Sequence, residues 1–301
     1  MKRIAVLRGD GIGPEVIAAA LERIGLDGEL IEIEASAARY LRTGQTLTSD
    51  DFEVISRCDA LLFGAIGDPR VPDGVLEQGI LLELRRRLDL YVNVRPFPEL
   101  DLVIVRENSE GAYSGEGART GDSARQVSVD TLPGVRRCAR YAFELAARRK
   151  ELLTWVHKTN VLSYSGELWR EAVTSVAAEY PSVEVRYEHA DAAAYHLVVD
   201  RGRFDVILTD NLFGDVLSDL AAGLGDGLGS AASANIHPDV ATRPTRCIGL
   251  FEPIHGSAPD IAGTGRADPT GAIRAARMLE ETLNASTTST EKVGLVKEDA
   301  L

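Results

Sequence analysis

Arginine and aspartate residues recur at spacings that suit a small anionic ligand together with a cation. Arg85, Arg95 and Arg106 lie ten and eleven residues apart, and Asp215 and Asp219 lie four apart in the helix-like stretch NLFGDVLSDL. A guanidinium group binds a carboxylate through paired charge-assisted hydrogen bonds, each contributing about 1.5–3 kcal/mol. Two carboxylates on one helical face supply oxygen ligands of the kind that Mg²⁺ or Mn²⁺ prefers. These residues predict a pocket for a metal-chelated polycarboxylate.

The same patterns also have ordinary structural explanations. Arg85, Arg86 and Arg87 are consecutive, so in a helix they point in different directions and only one of them can face a site. Asp215 and Asp219 could form an exposed acidic face, although neighbouring acids repel each other unless a cation lies between them. The spacing alone leaves both interpretations of the two aspartates open.

Further reactive side chains follow strand-like or loop segments. Lys158, at the end of an apolar run in WVHKTNVL, is a candidate general base, and Tyr113 in VRENSEGAY is a candidate general acid. An exposed lysine and a buried tyrosine with a satisfied hydroxyl are the common alternatives. Asp191 is a further candidate oxygen ligand. The loop FEPIHGSAPDIAG contains His255 and Asp260, which could stack on a base and accept hydrogen bonds from a ribose.

The glycine turn RGDGIGP near the N-terminus precedes a helix-like segment. Such a turn could contact a cofactor or could be purely structural, and both interpretations stay open. The sequence contains no G-x-G-x-x-G spacing. A standard Rossmann dinucleotide fingerprint is therefore excluded.

Overall composition excludes several classes of protein. A net charge of -13, from 33 basic and 46 acidic residues, provides no basic surface for nucleic acid or an anionic membrane. Cys58, Cys138 and Cys247 are far apart and lack CxxC spacing, which predicts buried, reduced thiols. We find neither a hydrophobic leader nor an apolar run long enough to cross a bilayer. We expect a soluble cytoplasmic protein with no nucleic-acid or membrane partner.

Strand-like apolar runs alternate with helix-period segments, which is typical of an α/β fold. The strand-like runs are RIAVLR, ALLFGAIG, DLVIVRE, LLTWVH and FDVILTD. The predicted helices are Pro14 to Ile24, Gly74 to Leu88, Pro133 to Arg149, Gly166 to Tyr180 and Leu212 to Ala222. Proline- and glycine-rich stretches at 95–100 and 223–239 predict chain crossings between two lobes. The polar run NASTTSTEK near the C-terminus has no apolar face to bury, and we expect it to be loosely held.

Six segments together resemble the β-decarboxylating dehydrogenases, a family that includes isopropylmalate, isocitrate, homoisocitrate, D-malate and tartrate dehydrogenases. The segments are GDGIGPE, LDLYVNVRP, VRENSEGAY, HKTNVL, NLFGDVLSDLAAGL and FEPIHGSAPDIAG. The resemblance runs from about Arg3 to Leu279. It implies a two-lobed isopropylmalate-dehydrogenase-like α/β fold with a central cleft, distinct from a standard Rossmann fold. Residues 1–96 with 227–301 would form the cofactor-side lobe, and residues 97–226 the substrate, metal and dimerisation lobe.

The resemblance also implies a reaction, the NAD-dependent oxidative decarboxylation of a 3-substituted (2R)-malate by a homodimer with shared active sites. Lys158 would remove the hydroxyl proton and Tyr113 would protonate the enol. The implied substrate contacts are Arg85, Arg95, Arg106, Leu81, Leu82 and Asn160. The implied ligands of Mg²⁺ or Mn²⁺ are Asp215, Asp219 and a partner-derived Asp191, with Lys158 also reaching the neighbouring active site. The implied cofactor contacts are Glu252, His255, Gly256, Ser257, Ala258, Asp260, Ile261 and Asp268.

Two residue choices refine the cofactor and the substrate. Asp260 can accept from a ribose 2′-hydroxyl but repels a 2′-phosphate, which favours NAD⁺ over NADP⁺. Leu81 and Leu82 could pack a branched group, which favours 3-isopropylmalate. D-malate and tartrate are alternative substrates, followed by isocitrate and homoisocitrate. A non-enzymatic alternative is a weakly active regulatory subunit, and Asp268 stands where the family typically has asparagine.

Overall fold

A computed structural model of the chain describes residues 1–286. In chain order the strands are β1 (Arg3–Gly9), β2 (Glu29–Glu32), β3 (Ala60–Ala65), β4 (Val92–Phe97), β5 (Leu102–Glu107), β6 (Gly117–Thr120), β7 (Ser123–Gln126), β8 (Leu152–His157), β9 (Glu184–His189), β10 (Val206–Thr209), β11 (Ala232–Ile236) and β12 (Gly249–Pro253). The α-helices are α1 (Gly13–Ile24), α2 (Ala37–Thr43), α3 (Ser49–Ser56), α4 (Glu83–Arg87), α5 (Leu132–Ala146), α6 (Ser163–Ala177), α7 (Ala190–Val199), α8 (Asn211–Leu224) and α9 (Thr270–Ser286). A π-helical segment, Glu77–Leu82, precedes α4, and single 3-10 turns occur at Pro98–Leu100, Ala112–Ser114, Arg201–Arg203 and Leu228–Ser230.

The chain forms two compact units. The first runs from Met1 to Leu90 and resumes at Asp226, and the second is Tyr91–Gly225. The lobes predicted from the sequence change over at residues 96/97 and 226/227. The first change lies earlier in the structure because β4 pairs with β5 along its whole length, so β4 belongs with the second unit.

The first unit is built on strands in the order β2-β1-β3-β12-β11. All neighbours are parallel except β11, which is antiparallel to β12. Leu7 and Phe63 of this sheet pack in one core cluster with Ile80 and Leu84 from the π-helical segment and α4. Helices α1 and α9 pack against each other. β3 is buried along its whole length and β1 over its central residues, which explains why these two strands read as continuous apolar runs.

The second unit is built on strands in the order β4-β5-β10-β8-β9. β4 is antiparallel to β5, and the other neighbours are parallel. The register pairs Thr209 of β10 with Arg106 of β5 and with Val156 of β8. The carboxyl ends of these three strands therefore lie at one edge of the sheet, which is where parallel α/β sheets place ligand-binding groups. β6 and β7 form a separate exposed hairpin.

The α/β class is confirmed, and most differences from the predicted helices concern their limits. The segment predicted as one helix from Gly74 is a π-helical turn followed by the short α4. Helices α2, α3, α7 and α9 were not predicted; in α7, the stretch ADAAAYHLVV is apolar without a clear helical period. Helix α9 continues to Ser286, with Leu283 buried. The predicted loose run therefore begins inside α9, and its remainder lies outside the described residues.

Cys58, Cys138 and Cys247 are buried and unlinked, as predicted. None of the helices found in residues 1–286 has the length and apolar character that a bilayer crossing requires.

Candidate active site

Helix α8 carries both candidate metal-binding aspartates and approaches β5 closely. Its first turn is capped by the Asp210 carboxylate, which accepts a hydrogen bond from the backbone N–H of Phe213 at 2.8 Å. A Cβ atom added at Gly214 would lie 2.7 Å from Cγ of Arg106. Only glycine leaves room for this approach, which brings the next residue, Asp215, beside Arg106.

Arg106 and Tyr113 both contact the carboxylate of Asp215. Arg106 Nη1 lies 2.7 Å from Asp215 Oδ1, and the Tyr113 hydroxyl donates to Asp215 Oδ2 at 2.6 Å. Arg106 Nε donates to Asn211 Oδ1 at 2.9 Å. The Arg106 side chain is only 1% exposed, so its guanidinium is buried and held in place by these contacts.

Arg95 reaches the same two aspartates from β4. Its Nη2 lies 3.2 Å from Asp215 Oδ1 and its Nη1 lies 3.7 Å from Asp219 Oδ1. Arg95 also donates to Ser218 Oγ at 2.6 Å and to Asn93 Oδ1 at 2.9 Å. Two arginines and two aspartates thus form one cluster. Asp215 pairs with both arginines, whereas Asp219 stays exposed on α8 with Arg95 as its neighbour.

The cluster has the chemistry of a cation site. Burial raises the pKa of Asp219, Asp215 adds to that effect, and Arg95 opposes it. A cation beside both carboxylates would relieve this repulsion, so their oxygens fit Mg²⁺ or Mn²⁺. In residues 1–286, no three acidic, histidine or cysteine side chains are grouped closely enough to hold a metal ion.

Lys158 and Asp191 form a second cluster in the same unit. Lys158 follows β8, and its ammonium makes an ion pair with Asp191 in the first turn of α7. The hydrogen bond from Lys158 holds the pKa of Asp191 below its usual value. The Asp191 side chain is 71% exposed and that of Lys158 is 25% exposed. Asn160 is exposed in the turn after Lys158.

A buried polar network surrounds His157, the residue before Lys158. The His157 ring is 3.1 Å from Ser165 Oγ, which donates to Asp130 at 2.6 Å, and it is 3.7 Å from Asp210. Burial lowers the pKa of His157 to about 4 and raises the pKa of Asp210 to about 7. This network could not be predicted from the sequence, because its members lie on distant segments with no shared motif.

The remaining predicted substrate contacts lie in the first unit. Arg85 is buried and donates to Glu252 Oε1 at 3.1 Å, and the same oxygen accepts from Asn235 at 2.8 Å. Glu252, predicted as a cofactor contact, therefore holds Arg85. Leu81 packs against the core cluster of the first unit, and Leu82 is half-buried.

The glycine turn supports the loop that was predicted to bind the cofactor. The backbone carbonyl of Ser257 accepts from Ile12 N at 2.8 Å. Gly11 has φ +56, and an added Cβ would lie 1.9 Å from that carbonyl oxygen. Asp10 fastens the turn further by accepting from Gly67 N at 3.1 Å. These contacts support the structural interpretation of the turn. The sequence spacing could not predict that the turn contacts the loop at Ser257.

Several side chains of that loop are available to a dinucleotide. Gly256 has open space on its Cβ side, and Asp260 is exposed. His255 Nε2 is buried and has no hydrogen-bond partner among the described residues, so a bound adenosine could satisfy it. Ala258 adopts φ 38 and Ile261 is half-buried. Asp268 accepts from Thr270 N at 2.9 Å, and this contact helps to hold the pKa of Asp268 low.

Comparison with known proteins gives consistent matches over nearly the whole chain. The family described as isocitrate/isopropylmalate dehydrogenase matches residues 3–294. The 3-isopropylmalate dehydrogenase of Mycolicibacterium vanbaalenii is 50% identical over 298 residues, which cover 92% of this chain and 87% of that protein. The solved isocitrate dehydrogenase from Methylococcus capsulatus has a TM-score of 0.84 and 38% identity, and the match covers 94% of this chain and 86% of that one. A β-decarboxylating dehydrogenase from Thermococcus kodakarensis has a TM-score of 0.75 and 41% identity, covering 93% and 82%.

Proposed function

The chain belongs to the isocitrate/isopropylmalate dehydrogenase family, and we propose on that premise that it uses NAD⁺ and a divalent cation to oxidise and decarboxylate 3-isopropylmalate. The observation that carries the proposal is the cluster of Arg95 and Arg106 with Asp215 and Asp219. It combines carboxylate-binding groups with cation-binding groups at one edge of the sheet. Curated relatives about half identical to this chain carry the name 3-isopropylmalate dehydrogenase.

The cluster suits a chelated malate. Asp215 and Asp219 would hold the cation, and Arg95 and Arg106 would exchange part of their present pairing for the substrate carboxylates. Arg85, which Glu252 holds in the first unit, stays a proposed contact for a substrate carboxylate. When bound, the cation supplies a Lewis acid that acidifies the hydroxyl and stabilises the charge left by decarboxylation.

Proton transfers would fall to two residues. Lys158 would accept the hydroxyl proton during oxidation. Tyr113, whose hydroxyl already donates to Asp215 at 2.6 Å, would deliver a proton to the enol. Arg106 lies 5.0 Å from the Tyr113 ring centre, which keeps this phenol at the arginine and aspartate cluster.

The loop after β12 would bind the adenosine end of NAD⁺. The open space at Gly256, the unpaired buried Nε2 of His255 and the exposed carboxylate of Asp260 supply room, a ring nitrogen and a ribose acceptor. Ser257, Ala258, Ile261 and Asp268 would line the same pocket. Glu252 would act through Arg85 rather than on the cofactor directly.

We infer that the active protein is a homodimer that shares its sites. Asp191, Tyr195 and Val198 recur on one face of α7, where Tyr195 and Val198 are exposed. Leu212 and Val216 are exposed on α8, which packs against α7. Exposed apolar patches of this kind mark protein interfaces, and a self-complementary face suits a two-fold dimer. In such a dimer, Lys158 and Asp191 of each subunit would lie at the Asp215 and Asp219 cluster of the other subunit.

A second substrate candidate, D-malate or tartrate, is favoured by one observation. Leu81 packs against the core cluster of the first unit, so part of the predicted leucine pair is committed to packing and less of it is available for a branched group.

A substrate panel tests the proposal. NADH formation is followed with 3-isopropylmalate, D-malate, tartrate, isocitrate and homoisocitrate in the presence of Mg²⁺ or Mn²⁺. We expect the highest kcat/KM with 3-isopropylmalate, and a rise in KM of about 10- to 100-fold in Arg95→Lys, because the bidentate fork is lost. Arg86→Lys is the matched control, since Arg86 is 72% exposed. Binding of NAD⁺ and malates without NADH formation would instead favour a regulatory subunit.

A further inference from the structure

The hydroxyl of Tyr187, on β9, lies against the backbone on both sides of Lys158. It accepts a hydrogen bond from Thr159 N at 3.2 Å and lies 2.8 Å from Thr159 Oγ1. It also lies 3.2 Å from the carbonyl oxygen of His157 and 2.7 Å from His189 Nδ1. The residue before Lys158 and the residue after it are thus tied to one phenol.

The same hydroxyl reaches the helix that carries Asp191. His189 is the N-cap residue of α7, and Asp191 lies in the first turn of that helix. Asp191 in turn pairs with the Lys158 ammonium. Tyr187 therefore links the backbone beside Lys158 to the start of α7. The ion pair between the Lys158 and Asp191 side chains is a second link between the same two segments.

The hydrogen-bonding capacity of this hydroxyl is fully used. A phenol has one proton and two acceptor lone pairs, and four polar atoms lie within 3.2 Å of it. Removing the oxygen would leave Thr159 N and His189 Nδ1 without this partner. The turn that holds Lys158 would then be less restrained.

The Tyr187 ring is held independently of its hydroxyl. It packs on Trp155, with ring centres 4.4 Å apart, and meets His189 edge-on at 5.1 Å. The guanidinium of Arg170 lies 5.9 Å from the ring centre. A phenylalanine would keep these contacts, so the function of the hydroxyl can be tested separately from that of the ring.

We propose that Tyr187 is a positioning residue that presets Lys158 and Asp191 as one unit, so that the base enters the active site already oriented. Tyr187 acts through the turn and is not a catalytic residue, since its hydroxyl contacts the backbone beside Lys158 and the cap of α7. The inference rests on the proposed role of Lys158. Small losses of alignment at a reacting group lower rates steeply.

The test compares Tyr187→Phe with Tyr180→Phe in the full-length protein. Tyr180 makes a matched control, because its hydroxyl donates to Glu144 at 3.1 Å in the same unit. We expect Tyr187→Phe to lower kcat by about 10-fold while KM for NAD⁺ changes by no more than about twofold. Tyr180→Phe should leave kcat within about twofold of the unaltered protein. Equal kcat in both variants would overturn the proposal.

A double-mutant cycle identifies the residue through which Tyr187 acts. In a Lys158→Ala background, Tyr187→Phe should lower the residual kcat by no more than about twofold, because the group that it positions is gone. A loss as large as in the unaltered background would overturn the proposal and assign the hydroxyl a different role.

Amide hydrogen exchange provides a readout that does not depend on activity. Peptides that contain Thr159 and the start of α7 should exchange faster in Tyr187→Phe than in Tyr180→Phe. Unchanged exchange would refute the positioning role. If the unaltered protein oxidised none of the malates, the proposed function would fail, and exchange would still decide whether Tyr187 restrains the turn.

Discussion

Replacing Gly214 by alanine should separate two opposing effects of one methyl group. In a helix interior, alanine is favoured over glycine by about 0.8–1 kcal/mol. At Gly214, however, the new Cβ would lie 2.7, 2.9 and 3.0 Å from Cγ, Cβ and Cδ of Arg106. These atoms are near the root of a side chain that is 1% exposed and held by Asn211 and Asp215. Arg106 cannot move aside, so α8 must shift.

Overpacking of this kind costs about 1–3 kcal/mol, and the upper end applies because three buried atoms overlap. Gly223 on the same helix supplies the control, since an added Cβ there meets nothing within 4 Å. Both variants replace a helical glycine by alanine, and Gly223, the penultimate residue of α8, gains less from that change. Gly223→Ala should therefore exceed Gly214→Ala in free energy of unfolding by about 2–3 kcal/mol.

The assays are urea unfolding and NADH formation with the best substrate of the panel. A displaced α8 moves Asp215 and Asp219 away from their arginines, so kcat/KM of Gly214→Ala should fall by at least about 10-fold. Gly223→Ala should retain the activity of the unaltered protein. Equal stability and full activity in Gly214→Ala would show that the close approach of α8 to β5 does not set the site.

Three further variants probe other parts of the molecule. Burial raises the pKa of Asp210 to about 7 from 3.8, so the native state keeps a proton that the unfolded chain has released, and the stability of the unaltered protein falls as pH rises through that window. Asp210→Asn lacks this dependence, so its free energy of unfolding relative to that of the unaltered protein should rise between pH 4 and pH 8, by at most about 4 kcal/mol. Urea unfolding at several pH values measures both proteins, and a constant difference between them would contradict this prediction. Asp260→Lys should raise kcat/KM with NADP⁺ relative to NAD⁺, and an NADP⁺ preference in the unaltered protein would refute the assignment of Asp260. Val198→Lys should yield monomers in sedimentation without dehydrogenase activity, because a charge on the α7 face opposes its burial; a fully active monomer would exclude shared sites.

Local spacing was enough to predict several parts of this protein. A four-residue interval sets Asp215 and Asp219 on one helical face, and Pro14 marks the first turn of α1. Lys158 follows a buried strand, as its apolar run predicts. These features depend only on the periods of helix and strand, which the chain carries within a few residues.

The tertiary structure decided which of those groups meet. Arg95 and Arg106 join Asp215, whereas Arg85 pairs with Glu252 in the other unit. The close approach at Gly214 and the hydroxyl of Tyr187 beside Lys158 could not be read from any motif. Such contacts join residues far apart in the chain, and they depend on strand order and helix placement. Strand order follows from how whole strands and helices bury their apolar faces against each other, which no short stretch of sequence encodes.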